Sequence, residues 1–217
     1  MEQNKNLEQW FTQSGFQLNP DQIEHHLTNV LTYIFLYRFG GTVLTFDLLL
    51  RKPIGSLGSF LSKCPEEDTV DILAASLPKK HPLMAEAMEQ LMSYHNSRDA
   101  RSTASKLLTD RIKLGCGVSF IQELKYKECR LLGGVKLVET LCPVARDKYW
   151  TIYDPARAKL LAKKTEEDNH GVRLWREKAD EIELWGGEES KSFFYNVASD
   201  ACPLTSQVLG RKKIFGP

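Results

Sequence analysis

The chain has 217 residues, enough for one sizeable core or two small lobes. Its 42% hydrophobic and 26% charged residues exclude a disordered polypeptide, and its most apolar run, Val30 to Leu36, falls far short of the roughly 20 residues a membrane-spanning helix needs. Net charge is +1, yet residues 98–164 hold fifteen basic against seven acidic groups, between ends in which acids outnumber bases.

The first residues, MEQNKNLEQW, lack the basic start and apolar core of a secretory leader, so the expected location is cytoplasmic. Five cysteines without a short repeated spacing read as buried free thiols, not as a disulfide framework. Cys116, Cys129 and Cys142 recur every 13 residues, but a continuous helix would turn each well away from the last. No metal and no cofactor are expected.

In chain order, NPDQIEHHLTNVLTYIFLYRFGG is the clearest element. Asn19 suits an N-cap, Pro20 the first helical position, and Gly40–Gly41 a left-handed stop. Its apolar residues cover almost the whole circumference, which predicts a central buried helix over about 20–39. His25 and His26 are adjacent and cannot share a metal as an i,i+4 pair would. Shorter helices are expected next: FDLLLR capped by Thr45 and ended by Pro53, then SLGSFLSKC, then PEEDTVDILAASL with its acids in the first turn. HPLMAEAMEQLMSYHNS and RDARSTASKLLTDRIKLG read as two further helices, the first with Met84, Met88, Leu91 and Met92 at helical spacing. SFIQELKYKECRLL fits a helix better than a strand.

DKYWTIYD alternates in the manner of a strand, making residues 148–153 the one expected β element. Asp154–Pro155 opens a helix, and NHGVRLWREKADEIELWGG reads as another. The aromatic tail from Ser192 is expected to dock on the body. The fold class is therefore mainly α: an irregular helical bundle around residues 20–39. It forms a single domain, 1–217, divisible at most into an acidic lobe, 1–97, and a second lobe, 98–217.

Three functions compete. The all-round apolar helix, the methionine stripe, the four tryptophans and the absence of GxGxxG, P-loop and GxSxG motifs favour a non-enzymatic cytoplasmic adaptor that binds other proteins, without a membrane partner. The basic centre suggests a nucleic-acid or polyanion site built from Trp150, Tyr153, Arg157, Lys159, Lys163 and Lys164. On a helix, however, these cations fall into two separated pairs offset by Glu167 and Asp168. The third reading is a metal-dependent nuclease in which Asp110 and Glu123 hold a cation and Lys125 stabilises developing charge. It requires Glu123 and Lys125 side by side on one face of a strand.

Overall fold

A computed structural model describes residues 20–65, 68–93, 100–154, 156–158, 160–161, 169–174 and 193–201. These residues form an α/β fold rather than the expected helical bundle. Helices α1 (Pro20–Phe39), α2 (Pro82–Ser93), α3 (Ala100–Cys116) and α4 (Phe193–Ala201), with a short helical stretch at residues 156–158 and 160–161, accompany six strands. The strands are β1 (Gly41–Leu44), β2 (Leu48–Leu50), β3 (Phe60–Lys63), β4 (Val70–Leu77), β5 (Lys136–Val138) and β6 (Gly171–Arg173). One sheet has the order β1-β4-β3-β5, and β2 pairs with β6 in a two-stranded ribbon. The chain divides into two compact units: Met1–Val43, Asp68–Ile72 and Ser76–Lys136 make one, and Leu44–Glu67, Leu73–Ala75 and Leu137–Pro217 the other.

In the first unit, α1 has the bounds its punctuation predicts. The Gly40 N–H bonds Leu36 O at 2.9 Å, with Gly40 at φ 69. A Cβ there would lie 2.5 Å from Lys79 N, so glycine is required twice over. The helix is not buried all round, however. Val30, Tyr33 and Leu36 are buried, while Leu27, Leu31, Phe35 and Phe39 lie exposed at four-residue spacing, Phe35 at 50%. Apolar composition sets what a helix can bury; the number of neighbours sets what it does bury. Among the described residues its helical neighbours are α2 and α3. Met84 and Met88 are core residues, as their spacing allows. Tyr33 donates its hydroxyl to Ala104 O at 3.1 Å, and burial raises the pKa of its phenol. Arg111 Nε meets Glu86 Oε2 at 2.6 Å across α3 and α2, holding the guanidinium protonated.

Three segments expected as helices are strands: FDLLLR supplies β2, SLGSFLSKC supplies β3, and PEEDTVDILAASL supplies β4. The reason is tertiary. All four residues of β3 are buried, and Ser62 Oγ accepts the Ala74 N–H at 3.0 Å. Such burial overrides the helix preference of a Leu- and Ala-rich segment. Lys63 is buried too, its ammonium held by Glu139 Oε1 at 3.0 Å and Cys64 O at 3.3 Å.

The second unit reverses the remaining β expectation. Residues 146–152 form a 3₁₀ helix, not a strand, with Lys148 N–H on Ala145 O, Tyr153 N–H on Trp150 O and the Thr151 hydroxyl on Lys148 O. Three residues per turn put Tyr149 and Ile152 on one side, against a core of Cys64, Cys142, Val144, Val172, Phe193 and Val197. The tail docks there through Phe193 and Val197 of α4. Instead of starting a helix, Gly171–Arg173 pairs antiparallel with β2, Leu48 opposite Arg173 and Leu50 opposite Gly171. A Cβ on Gly171 would sit 2.9 Å from Leu49 O, so this approach needs glycine. The helical stretch expected from residue 175 onward lies outside the described residues. Asp154 does cap its helix, accepting the Ala156 N–H at 2.9 Å.

Four of the five cysteines form disulfides, Cys64–Cys142 and Cys116–Cys129, and are not free thiols. The 13-residue spacing misled because no single helix carries it: α3 stops at Cys116, Gly117 turns with φ 61, and a short 3₁₀ helix, Ile121–Lys125, lies between the two sulfurs. Cys202 lies outside the described residues.

Candidate functional site

Between β1 and β2 the chain turns through Thr45, Phe46 and Asp47. Phe46 is 98% exposed, so the turn projects into solvent with no packing to explain an aromatic at its tip. The Thr45 hydroxyl is shielded from solvent and has no hydrogen-bond partner among the described residues. Asp47 is fixed by two bonds to the end of β6. Its carbonyl accepts the Leu174 N–H at 2.9 Å, and its Oδ2 accepts Arg173 Nε at 2.9 Å. Both side chains of this ion pair are largely buried, at 15% and 16% exposure. A pair this desolvated persists only with good geometry and extra hydrogen bonds. Arg173 Nη1 also approaches Cys64 Sγ at 4.0 Å, which ties the pair to the Cys64–Cys142 bridge. Tyr153 braces the same strand end by donating its hydroxyl to Leu174 O.

The residues singled out from the sequence are distributed differently. Tyr153 takes the bracing role just described. Trp150 is partly exposed and carries the Arg157 guanidinium 4.8 Å above its ring, while Arg157 Nε also pairs with Asp154 Oδ2 at 3.6 Å. Arg157 is thus already neutralised within its own helix turn. Lys159, Lys163 and Lys164 lie outside the described residues. Asp110 is exposed on α3. Glu123 and Lys125 stand on the 3₁₀ helix, where residues two apart diverge by roughly 120° instead of sharing a face as on a strand. Glu123 Oε1 accepts the Phe120 N–H at 2.9 Å. Among the described residues, no group of three or more His, Cys, Asp or Glu side chains could hold a metal ion.

Residues 76–209 match the family model described as the alpha 1,4-glycosyltransferase conserved region, which is more than half of the chain. The chain belongs to this glycosyltransferase family. Comparison with curated proteins and with solved structures finds no match. The family membership overturns the reading as a non-enzymatic adaptor or complex subunit, and the polyanion-binding and nuclease readings with it. Within the glycosyltransferase region lie α2, α3, the Cys116–Cys129 loop, Cys142, Tyr153, Arg173 and α4. Asp47 stands before it and reaches it through Arg173.

Asp47, Arg173 and the four paired cysteines were not identified from sequence. A weak signal for Asp47 was present: TFD interrupts two apolar stretches, which suits a turn between strands as well as it suits a helix start. Arg173 gave none, because its partner is 126 residues away.

Proposed function

We propose that this protein transfers a sugar from an activated donor to a hydroxyl of an acceptor sugar, forming an α-1,4 bond. The observation that carries this reading is the family match across residues 76–209. In such a transfer the acceptor oxygen bonds to the anomeric carbon of the donor. The bond from that carbon to its phosphate-bearing leaving group breaks with the electron pair going to the leaving oxygen. The acceptor proton passes to a base or to water.

Phosphate leaving groups favour Arg, whose fixed fork of donors and permanent charge suit their oxygens. Arg173, paired with Asp47 beside the projecting Phe46 turn, supplies a guanidinium of this kind. Asp47 positions the guanidinium, and the pairing keeps a largely buried cation compatible with the fold.

The two disulfides support work in an oxidising compartment in place of the cytoplasm expected from the first residues. Among the described residues no helix is long and apolar enough to cross a membrane.

The test is direct. Purified protein is incubated with UDP-, GDP- and CMP-sugars, each with mono- and disaccharide acceptors, and products are identified by mass spectrometry and the linkage by NMR. An α-1,4-linked product is expected for at least one pair. Folded protein that gives no transfer product across the whole panel would sink the reading.

A further inference from the structure

The loop between α3 and β5 presents an arrangement that the fold does not use. The short 3₁₀ helix Ile121–Lys125 is bracketed by two exposed aromatic side chains, Phe120 at 60% and Tyr126 at 87%. Glu123 lies between them and is bonded to both. Its N–H donates to Phe120 O at 3.1 Å, its Oε1 accepts the Phe120 N–H at 2.9 Å, and its carbonyl accepts the Tyr126 N–H at 3.0 Å. Phe120 is the N-cap of this helix and Tyr126 its C-cap, so positions 120, 123 and 126 form a row along the loop at three-residue spacing, with Glu123 hydrogen-bonded to both ends. Glu123 Oε2 makes no hydrogen bond among the described residues.

The row is rigid. Val118 and Ile121 are buried and anchor it from below. Cys116–Cys129 closes the loop at its base. Asp68 accepts the Ile121 N–H at 2.7 Å and also holds Lys113. Lys127 Nζ donates to Gly117 O at 2.6 Å. These four constraints hold the backbone that carries two solvent-exposed aromatic rings, so only the side chains remain to be ordered when a ligand arrives.

We infer that Phe120, Glu123 and Tyr126 form a binding subsite for the acceptor glycan, an inference that rests on the glycosyl-transfer reading. A pyranose ring has an apolar C–H face and a rim of hydroxyls. Aromatic rings at each end of the row cover two linked C–H faces, and the unengaged carboxylate oxygen accepts from the hydroxyls between them. A nucleotide donor is disfavoured here, because the row carries a carboxylate and phosphates would meet it as like charge. The subsite lies within the family-matched region, and among the described residues its polar contacts are to its own loop.

The experiment uses the full chain and a panel of neutral disaccharides: maltose, cellobiose, lactose and chitobiose. Binding is followed by NMR through the Phe and Tyr ring protons, in the wild type and in F120A, Y126A and Glu123→Gln. At least one disaccharide should perturb those rings. Each aromatic variant should weaken its binding by about five- to tenfold, with melting temperature unchanged because both side chains are exposed. In the transfer assay the same variants should raise acceptor KM and leave donor KM and kcat unchanged. Absence of ring perturbation by every disaccharide, or equal binding by F120A/Y126A and wild type, overturns the subsite. Disaccharide binding at the row without any transfer keeps the subsite and sinks the reaction. Transfer with unchanged acceptor KM in F120A/Y126A does the reverse.

Discussion

Removing the two disulfides separately gives the sharpest test of the architecture. Cys64–Cys142 spans 78 residues and lies in the second unit, whereas Cys116–Cys129 spans 13 and lies in the first. If a crosslink acts by restricting the unfolded chain, its contribution grows with the logarithm of the closed loop, giving about 4.5 kcal/mol for the longer bridge and about 3 kcal/mol for the shorter. For a chain of this size each kcal/mol shifts the melting temperature by roughly 2–4 °C. Cys64→Ala/Cys142→Ala should therefore melt about 9–18 °C below wild type, and Cys116→Ala/Cys129→Ala about 6–12 °C below. Thiol titration of unreduced, denatured protein made in an oxidising compartment should find no more than one free thiol of the five cysteines. Scanning calorimetry measures the rest. Five titratable thiols would refute the pairing itself. A larger loss for the short bridge than for the long one would refute the loop-entropy reasoning while leaving the pairing intact.

Two other perturbations follow from buried charge and buried titration. Arg173→Met strips the partner from the largely buried Asp47 and should cost about 3–5 kcal/mol in urea unfolding, much of it restored by adding Asp47→Leu; equal losses in the single and double variants would show that the ion pair is not the cause. His81 is 5% exposed, with Nδ1 accepting the Leu83 N–H and Nε2 facing Leu132 O, and burial lowers its pKa below the ordinary 6.5. The unfolded chain then binds the proton more readily, so the contribution of His81 to stability is complete above about pH 6.5 and is lost as pH falls below it. Melting temperature between pH 7.5 and pH 5.5 should fall more steeply for wild type than for His81→Asn; parallel profiles would remove His81 as the cause.

Helices α1, α2 and α3 were legible because each carries its own punctuation: Pro20 and Gly40–Gly41, then Pro82, then the glycines after Leu114. Their signals are local, within a turn or two of chain. Strands β3 and β4 were not legible, since VDILAASL is rich in helix formers and only pairing and burial make it extended. The DKYWTIYD segment failed in the opposite sense. Its alternation is real, but the core beneath it takes Tyr149 and Ile152, a spacing of three. The candidate site was the least legible part. Asp47 and Arg173 meet only because β2 and β6 pair, and no window of sequence contains both.

The interleaving of the two compact units bears on how the protein can be dissected. The family-matched stretch opens at residue 76, inside β4, yet both units draw on segments before that point. A fragment cut at the family border would lose β1, β2, β3 and most of β4. Arg173 would be left without Asp47, β6 without the strand it pairs with, and Cys142 as a bare sulfhydryl in an exposed apolar core. The stretch that identifies this chain by descent is therefore not a unit that can fold by itself, and truncation series should start from α1.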